Sequence, residues 1–164
     1  MMPGRDTLWH GRTVARWAEL VSAEPDFAER VRRLLAAQKH LTLATLRRDG
    51  SPRISGTELQ IDDGDLWLGM MPRSLKALDL RRDPRLALHG PSVNPPEGAE
   101  SGWLGDAKVA GQGVEVTEGE SPKAGHRFRI DITEVVLTRV GDPPDHLVIE
   151  SWHPGRGLEL HRRA

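Results

Sequence analysis

The chain of 164 residues contains no cysteine. Without thiols, disulfide bonds, thiolate catalysis and cysteine-ligated zinc or iron–sulfur centres are excluded. No run of about 18 apolar residues is present, so the sequence predicts no membrane-spanning helix. A charged, apolar and small-residue leader is also missing, and we therefore expect a cytoplasmic location.

A strong charge of either sign is missing as well. The formal net charge is -1 at pH 7, whereas non-specific nucleic-acid binding requires a clear basic excess. Apolar residues make up 37% of the chain, which is enough for a core and argues against general disorder. The length predicts one domain over residues 1–164, with a flexible end at 1–12.

Motifs for metal binding and for hydrolysis are absent too. The chain has 7 histidines, but none occurs in the His-x-x-x-His or His-Glu-x-x-His spacing of metal sites. We therefore expect no metal site. The nucleophile elbow of serine hydrolases is also missing.

Residues 40–89 carry the clearest pattern in the chain. Three short segments of alternating apolar residues are separated by Asp49-Gly50 and Asp63-Gly64. Asp and Gly tolerate the positive φ of tight hairpin turns, so this pattern predicts two hairpins. The third strand, 66–71, stops at Pro72, because proline has no N–H to donate to a ladder.

A short helix is predicted next, over residues 74–82. Ser74 is a candidate N-cap, and Leu75 and Leu78 share one face. Asp83-Pro84 ends the helix, and a fourth strand follows over 85–89. The order of three strands, a short helix and a strand predicts an antiparallel barrel with one helix plugging an end.

Two further helices are predicted upstream, over residues 13–38. Thr13 is a candidate cap for the first, and Glu24-Pro25 breaks it. The second is expected to start at Asp26, with Glu29 completing a capping box. Both are expected to pack on the barrel, and recognition of a partner protein is the alternative.

The second strand has an irregular pattern. Polar residues give way to apolar ones on a single face: Arg53, Ser55 and Thr57, then Leu59 and Ile61. Either a bulge at Gly56 flips the register, or the Arg53 end lies outside the barrel in a polar groove. In the second case these polar residues form an anion site, and a solvated strand start is the simpler alternative.

The second half of the chain predicts more strands and one long loop. Residues 90–103 are a loop by composition, which at this length is expected to be disordered or to act as a lid. A polar turn is expected at 118–125. Strands are predicted over 108–116, 126–132, 135–140 and 147–152, so that seven or eight strands form one barrel.

Cationic and hydroxyl side chains cluster at the start of the helix at 74–82. Free N–H groups and the positive end of a helix favour an anion placed at its start. Arg73, Ser74 and Lys76 lie there, and Arg53 can reach in from the neighbouring strand. Three or four charge-assisted hydrogen bonds, each worth about 1.5–3 kcal/mol, suffice to hold a phosphate. An ordinary solvated helix start is the alternative.

This region resembles the pyridoxamine 5'-phosphate oxidase-like family of FMN-binding split barrels. The matching features occur in order between about residues 35 and 90: Ala44-Thr45-Leu46, Asp49-Gly50-Ser51-Pro52-Arg53, Gly64-Asp65-Leu66-Trp67, Ser74-x-Lys76, Leu80-Arg81-Arg82-Asp83-Pro84-Arg85 and Ala87. The resemblance implies a mainly β fold, namely a six-stranded antiparallel split barrel with flanking helices.

The resemblance also implies where FMN would bind. It assigns the 5'-phosphate to Arg53, Ser74, Lys76 and Arg73, and assigns contacts with the isoalloxazine ring to the backbone of the second and third strands. The oxidases proper tend to have arginine where this chain has Leu75. The expected cofactor-binding residues are Arg53, Ile54, Ser55, Gly56, Thr57, Leu68, Gly69, Arg73, Ser74 and Lys76.

By resemblance, the function is that of an FMN-dependent oxidoreductase. Hydride passes through flavin N5, a small molecule is the substrate, and a homodimer holds the cofactor between its subunits. Residues 158–164 do not match the substrate-binding end of true pyridoxamine phosphate oxidases. The alternatives are a reductase using a deazaflavin of the F420 type, and a non-catalytic flavin- or haem-binding protein. For the first alternative, a cationic groove would come from Arg47, Arg48, Arg81 and Arg82.

Overall fold

The computed structural model describes residues 7–9, 11–117 and 125–164. Within these ranges the strands are β1 Thr7–Trp9, β2 Arg12–Val14, β3 His40–Leu46, β4 Pro52–Asp62, β5 Asp65–Met70, β6 Arg85–His89, β7 Asp106–Glu115, β8 His126–Val140, β9 Leu147–His153 and β10 Gly157–Arg163. The helices are α1 Trp17–Ala23, α2 Pro25–Leu35 and α3 Leu75–Arg82, with a 3-10 turn at Glu100–Gly102. The flexible end expected at 1–12 and the turn expected at 118–125 lie largely outside the described residues.

Six strands close into an antiparallel barrel in the order β8-β5-β4-β3-β6-β7, because β7 pairs back onto β8. Strand β9 pairs with β8, and β10 pairs with β9, so these two strands extend the sheet beyond the barrel. Strand β8 has 15 residues and pairs with β5, β7 and β9. The predicted mainly β, six-stranded antiparallel split barrel is confirmed.

Turn chemistry sets the boundaries of the first strands. Gly50 (φ 83) and Gly64 (φ 76) occupy the left-handed region in the two hairpin turns, a conformation that costs glycine little because it has no Cβ. Strand β5 ends at Met70, before Pro72. Helix α3 begins after an N-cap at Ser74, and β6 covers 85–89 as predicted.

The start of the first helix differs from the prediction. Residues 12–14 form a strand, and the Ala15 N–H donates to the Ile132 carbonyl at 2.9 Å. This pairing to β8 holds the chain extended, so α1 begins only at Trp17. The predicted capping box at Glu29 is also wrong, because α2 starts at Pro25 and the Glu29 carboxylate contacts arginines of its own helix.

The barrel interior and the inner faces of α1 and α2 form one apolar core. Trp17 and Leu20 of α1 and Phe27 and Val31 of α2 are buried in the same cluster as the barrel residues. None of the helices among the described residues has the length and apolar character needed to cross a membrane. Helix α3 instead covers one end of the barrel, where it contacts β3 and β7.

No bulge interrupts β4 at Gly56. The register with β3 runs without a shift from Leu46 opposite Pro52 to His40 opposite Glu58. The predicted bulge at Gly56 is therefore wrong. Arg53 remains on the same face of the strand as Leu59 and Ile61. The polar surroundings of this end of β4 are side chains of β3 and α3, because the Arg53 Nε donates to the Asp79 carboxylate.

Candidate functional site

A groove opens where β4 and β5 separate. Their ladder extends only from Leu59 opposite Leu68 to Asp62 opposite Asp65. Beyond Leu59 toward the start of β4, the strand pairs with β3 alone among the described strands. The resulting groove has a volume of about 760 Å³, which is within the usual range for small-molecule sites.

The start of α3 forms one end of the groove. Ser74 is the N-cap, and its hydroxyl makes no capping hydrogen bond. The Lys76 Nζ donates to the Gly56 carbonyl at 2.6 Å, which holds the helix start against β4. Burial lowers the pKa of Lys76. An ammonium has three donors, so Lys76 can also bind an anion placed at the positive end of the helix.

The floor of the groove is unusually open. Gly56 of β4 and Gly69 of β5 both line it, and a Cβ at either position would meet nothing within 4 Å. A flat ligand can therefore approach the backbone of both strands. Arg127 pairs with Gly69 across the β5–β8 ladder, and its guanidinium lies 3.8 Å from the centre of the Trp67 ring.

Thr57 adds a polar atom without a partner. Its side chain is only 4% exposed, it lines the groove, and its hydroxyl has no hydrogen bond in the described structure. A buried hydroxyl without a partner costs about 1–3 kcal/mol. A ligand that reaches Thr57 would remove that cost.

The structure brings together half of the predicted site residues. Gly56, Thr57, Gly69, Ser74 and Lys76 line the groove. The others are not among its lining residues: Arg53, Ile54, Ser55, Leu68 and Arg73. Their role in binding stays a prediction.

The residues outside the groove have varied surroundings. Leu68 is fully buried in the core, and the buried Ser55 hydroxyl has no partner. Ile54 is 74% exposed. Arg73 is exposed, with a positive φ of 62.

Arg53 belongs to a buried charge cluster under α3. The Asp79 carboxylate accepts hydrogen bonds from Thr45 Oγ1 at 2.8 Å, Arg53 Nε at 2.6 Å and Arg82 at 2.9 Å. Burial alone would raise the pKa of Asp79, but these donors outweigh it and hold the pKa below its ordinary value. Asp79 was not among the predicted site residues. The available signal was a lone carboxylate in a leucine-rich helix, near Arg82.

The other side of α3 exposes apolar residues near the groove. Leu75 and Leu78 are 59% and 45% exposed, so the face that they share points away from the barrel core. Met71, which lines the groove, and Ile54 on β4 are also exposed. Exposed apolar patches of this kind often mark an interaction site.

The loop at 90–103 does not line the groove. The Trp103 Nε1 donates to the Val93 carbonyl at 2.5 Å, and the Ser101 hydroxyl donates to the Gly141 carbonyl at 2.6 Å. These bonds attach the loop to itself and to the turn between β8 and β9. Across the described ranges, no group of three or more potential ligand side chains could hold a metal ion.

Sequence comparison fits this architecture. The family model described as pyridoxamine 5'-phosphate oxidase matches residues 27–150. The chain belongs to the pyridoxamine 5'-phosphate oxidase family. The expected family is therefore confirmed. No curated protein matches this sequence.

Solved structures of low sequence identity share the fold of this family member. One is PhzG from Burkholderia lata 383 in complex with tetrahydrophenazine-1-carboxylic acid, with 13% identity, a TM-score of 0.62, and coverage of 96% of this chain and 98% of that one. Another is a pyridoxamine 5'-phosphate oxidase-related, FMN-binding protein from Nostoc punctiforme PCC 73102, with 13% identity, a TM-score of 0.59, and coverage of 88% and 96%. A heme-binding protein from Mycobacterium smegmatis has 15% identity, a TM-score of 0.50, and coverage of 82% and 86%.

Proposed function

We propose that this chain binds FMN in the groove between β4 and β5 and acts as an oxidoreductase on a small-molecule substrate. The observation that carries the proposal is the pairing of a cationic helix start with an open glycine floor. Lys76 and the first N–H groups of α3 suit a phosphate, while Gly56 and Gly69 leave room for a flat ring against the backbone.

The separated strands supply what a flavin ring requires. A backbone edge that is not paired offers N–H and C=O groups to the polar side of the ring. Lys76 keeps positive charge at the same end, and Met70 and Met71 also line the groove. Bound FMN would supply hydride transfer through its N5 atom.

The exposed apolar residues support a homodimer. Met71 lines the groove, and the exposed Ile54, Leu75 and Leu78 belong to β4 and α3, the strand and helix that border it. A second copy seated on them would remove apolar surface from water, at about 25 cal/mol per Å². The same contact would shield the groove, so we propose that the cofactor lies between the subunits.

The test compares FMN with riboflavin, which lacks the phosphate. We expect purified protein to bind FMN at least about tenfold more tightly in a flavin-fluorescence titration, from the loss of one or more charge-assisted hydrogen bonds. Lys76→Ala should remove most of this preference. Lys108→Ala on β7, which does not line the groove, is the matched control.

Four outcomes would contradict the proposal or a part of it. Equal affinity for FMN and riboflavin would show that no phosphate site exists here. Binding of the deazaflavin coenzyme alone would assign a deazaflavin-dependent reductase, and binding of haem alone would assign a haem protein. Bound FMN that no electron donor reduces under anaerobic conditions would contradict the oxidoreductase part only.

A further inference from the structure

A second recess lies where four separate parts of the chain meet, near the C-terminal end of α3. It consists of two adjoining cavities of about 710 Å³ and 470 Å³, which share Arg12, Ala110 and Thr133. We call it the cationic cleft. Its walls are the start of β2, the corner between α3 and β6, the β7–β8 ladder and the turn after β9.

Arginine dominates the charged lining of this cleft. Four guanidinium groups line it against two carboxylates, those of Asp83 and Glu134, while His153 is neutral in this count. The four are Arg12, Arg82, Arg85 and Arg156. The lining side chains therefore carry an excess of two positive charges, although Arg82 is also paired with the buried Asp79 and Arg156 lies 3.9 Å from Glu159, two carboxylates that do not line the cleft.

The two carboxylates are already engaged. The Arg85 guanidinium binds Asp83 at 2.6 Å, and the His153 imidazole lies 2.8 Å from the Glu134 carboxylate. Arg12 is different, because its guanidinium has no hydrogen bond or ion pair with any residue that the structure describes, and only its backbone pairs, in the ladder with β1. An unpaired guanidinium in a concave, positively charged recess is a strong anion ligand, since its planar fork binds phosphate and carboxylate oxygens in pairs.

The backbone fixes the cleft in place. The register of β7 and β8 shifts between Ala110 and Gly111, which leaves Thr133 as an extra residue in the cleft wall. Such bulges often lie next to functional sites. The segment that carries Arg12 is held against the same strand by the two hydrogen bonds between Ala15 and Ile132, at 2.9 and 2.8 Å.

We propose that the cationic cleft binds a small polyanion with at least two anionic groups, either an organic phosphate or a polycarboxylate. The cationic cleft is separate from the groove between β4 and β5, because the two share no lining residue. Bounded walls and the low net charge favour a small molecule over a nucleic acid, which would need an extended basic surface.

The test is a calorimetric titration with pyrophosphate and with citrate at constant ionic strength. It uses the Lys76→Ala protein, so that the anion site of the groove contributes little. We expect saturable binding that Arg12→Ala weakens about tenfold or more and that Arg12→Ala with Arg156→Ala weakens further. Arg163→Ala on β10 removes the same charge outside the cleft and should leave the affinity unchanged.

The two anions separate the possible sources. Tighter binding of pyrophosphate supports an organic phosphate, and tighter binding of citrate supports a polycarboxylate. Absence of binding to either anion overturns the proposal, as does an equal loss of affinity in Arg12→Ala and Arg163→Ala. Thermal melts without ligand confirm folding, since Arg12 and Arg163 are both exposed. The flavin titration with unsubstituted protein tests the proposed function, and its outcome does not depend on the outcome of this experiment.

Discussion

The inner and outer sides of α3 differ in what they bury and expose. The inner side buries Ala77 and Leu80 and also the Asp79 carboxylate, which lies between Arg53 and Arg82. The outer side exposes Leu75 and Leu78. The comparison indicates that polar contacts add to apolar packing in holding this helix in place and that its exposed apolar side is available for binding. Four predictions test this division, in order of decreasing effect on the free energy of unfolding.

The largest effect is expected for Asp79→Asn. The substitution keeps the volume but removes the carboxylate to which the Arg53 and Arg82 guanidinium groups both donate. We expect a loss of about 2–3 kcal/mol in urea unfolding, below the full value for a buried pair because both arginines are partly hydrated. Asp62→Asn, at an exposed position at the end of β4, is the control. Equal stability of the two variants would show that polar contacts do not hold α3.

The same carboxylate predicts a pH dependence. Because its folded-state pKa lies below the unfolded value of about 3.9, the unfolded chain binds more protons as the pH falls. The contribution of Asp79 is therefore complete above about pH 4 and is lost as the pH drops through the lower, folded-state pKa. Urea unfolding between pH 5 and pH 2 should show a steeper loss in the unsubstituted protein than in Asp79→Asn. Parallel curves would contradict this assignment.

Two buried threonines provide a matched pair. Thr45 donates to Asp79, whereas the Thr57 hydroxyl has no partner in the described structure. Thr45→Val should cost about 1–2 kcal/mol because it removes a donor to a charged group. Thr57→Val, measured without ligand, should be neutral or slightly stabilising. A similar loss of stability in both variants would mean that the packing of the threonine side chains, rather than their hydrogen bonding, determines the change in the free energy of unfolding.

The smallest effect on unfolding is expected on the outer side. Replacing Leu75 and Leu78 together by Asp should change the stability of the folded monomer by less than about 0.5 kcal/mol, since both side chains are exposed. The molar mass from light scattering should nevertheless fall from dimer to monomer. Leu147→Asp, at an exposed apolar position on β9, should leave the dimer intact. An unchanged mass in the double variant would contradict the proposed interface.

Local sequence chemistry predicted much of the barrel. Asp49-Gly50, Asp63-Gly64 and Pro72 fix strand ends through backbone preferences that act within a few residues. Asp83-Pro84 ends α3 in the same way. These signals need no knowledge of distant contacts, which is why the order of elements from β3 to β6 could be predicted correctly.

Tertiary contacts decided the features that the sequence did not reveal. Apolar spacing placed Leu75 and Leu78 on one face but did not show that this face is exposed. The helix can turn Asp79 inward because Arg53 and Arg82 compensate its charge. Arg53 was assigned to a phosphate by resemblance, and that assignment stays a prediction; in the structure its Nε donates to this carboxylate. The cationic cleft has no local motif at all, because its arginines come from distant segments that only the closed barrel brings together.

Strand β8 belongs both to the closed barrel and to the extension formed with β9 and β10. Its Val135–Thr138 segment is bonded to β7 of the barrel on one side and to β9 of the extension on the other. Each amide N–H of this segment donates to only one neighbouring strand, and successive residues alternate between β7 and β9. Exchange of one set of amides therefore requires opening of the barrel ladder, and exchange of the other set requires opening of the extension. A ligand that stabilises the whole fold would slow both sets.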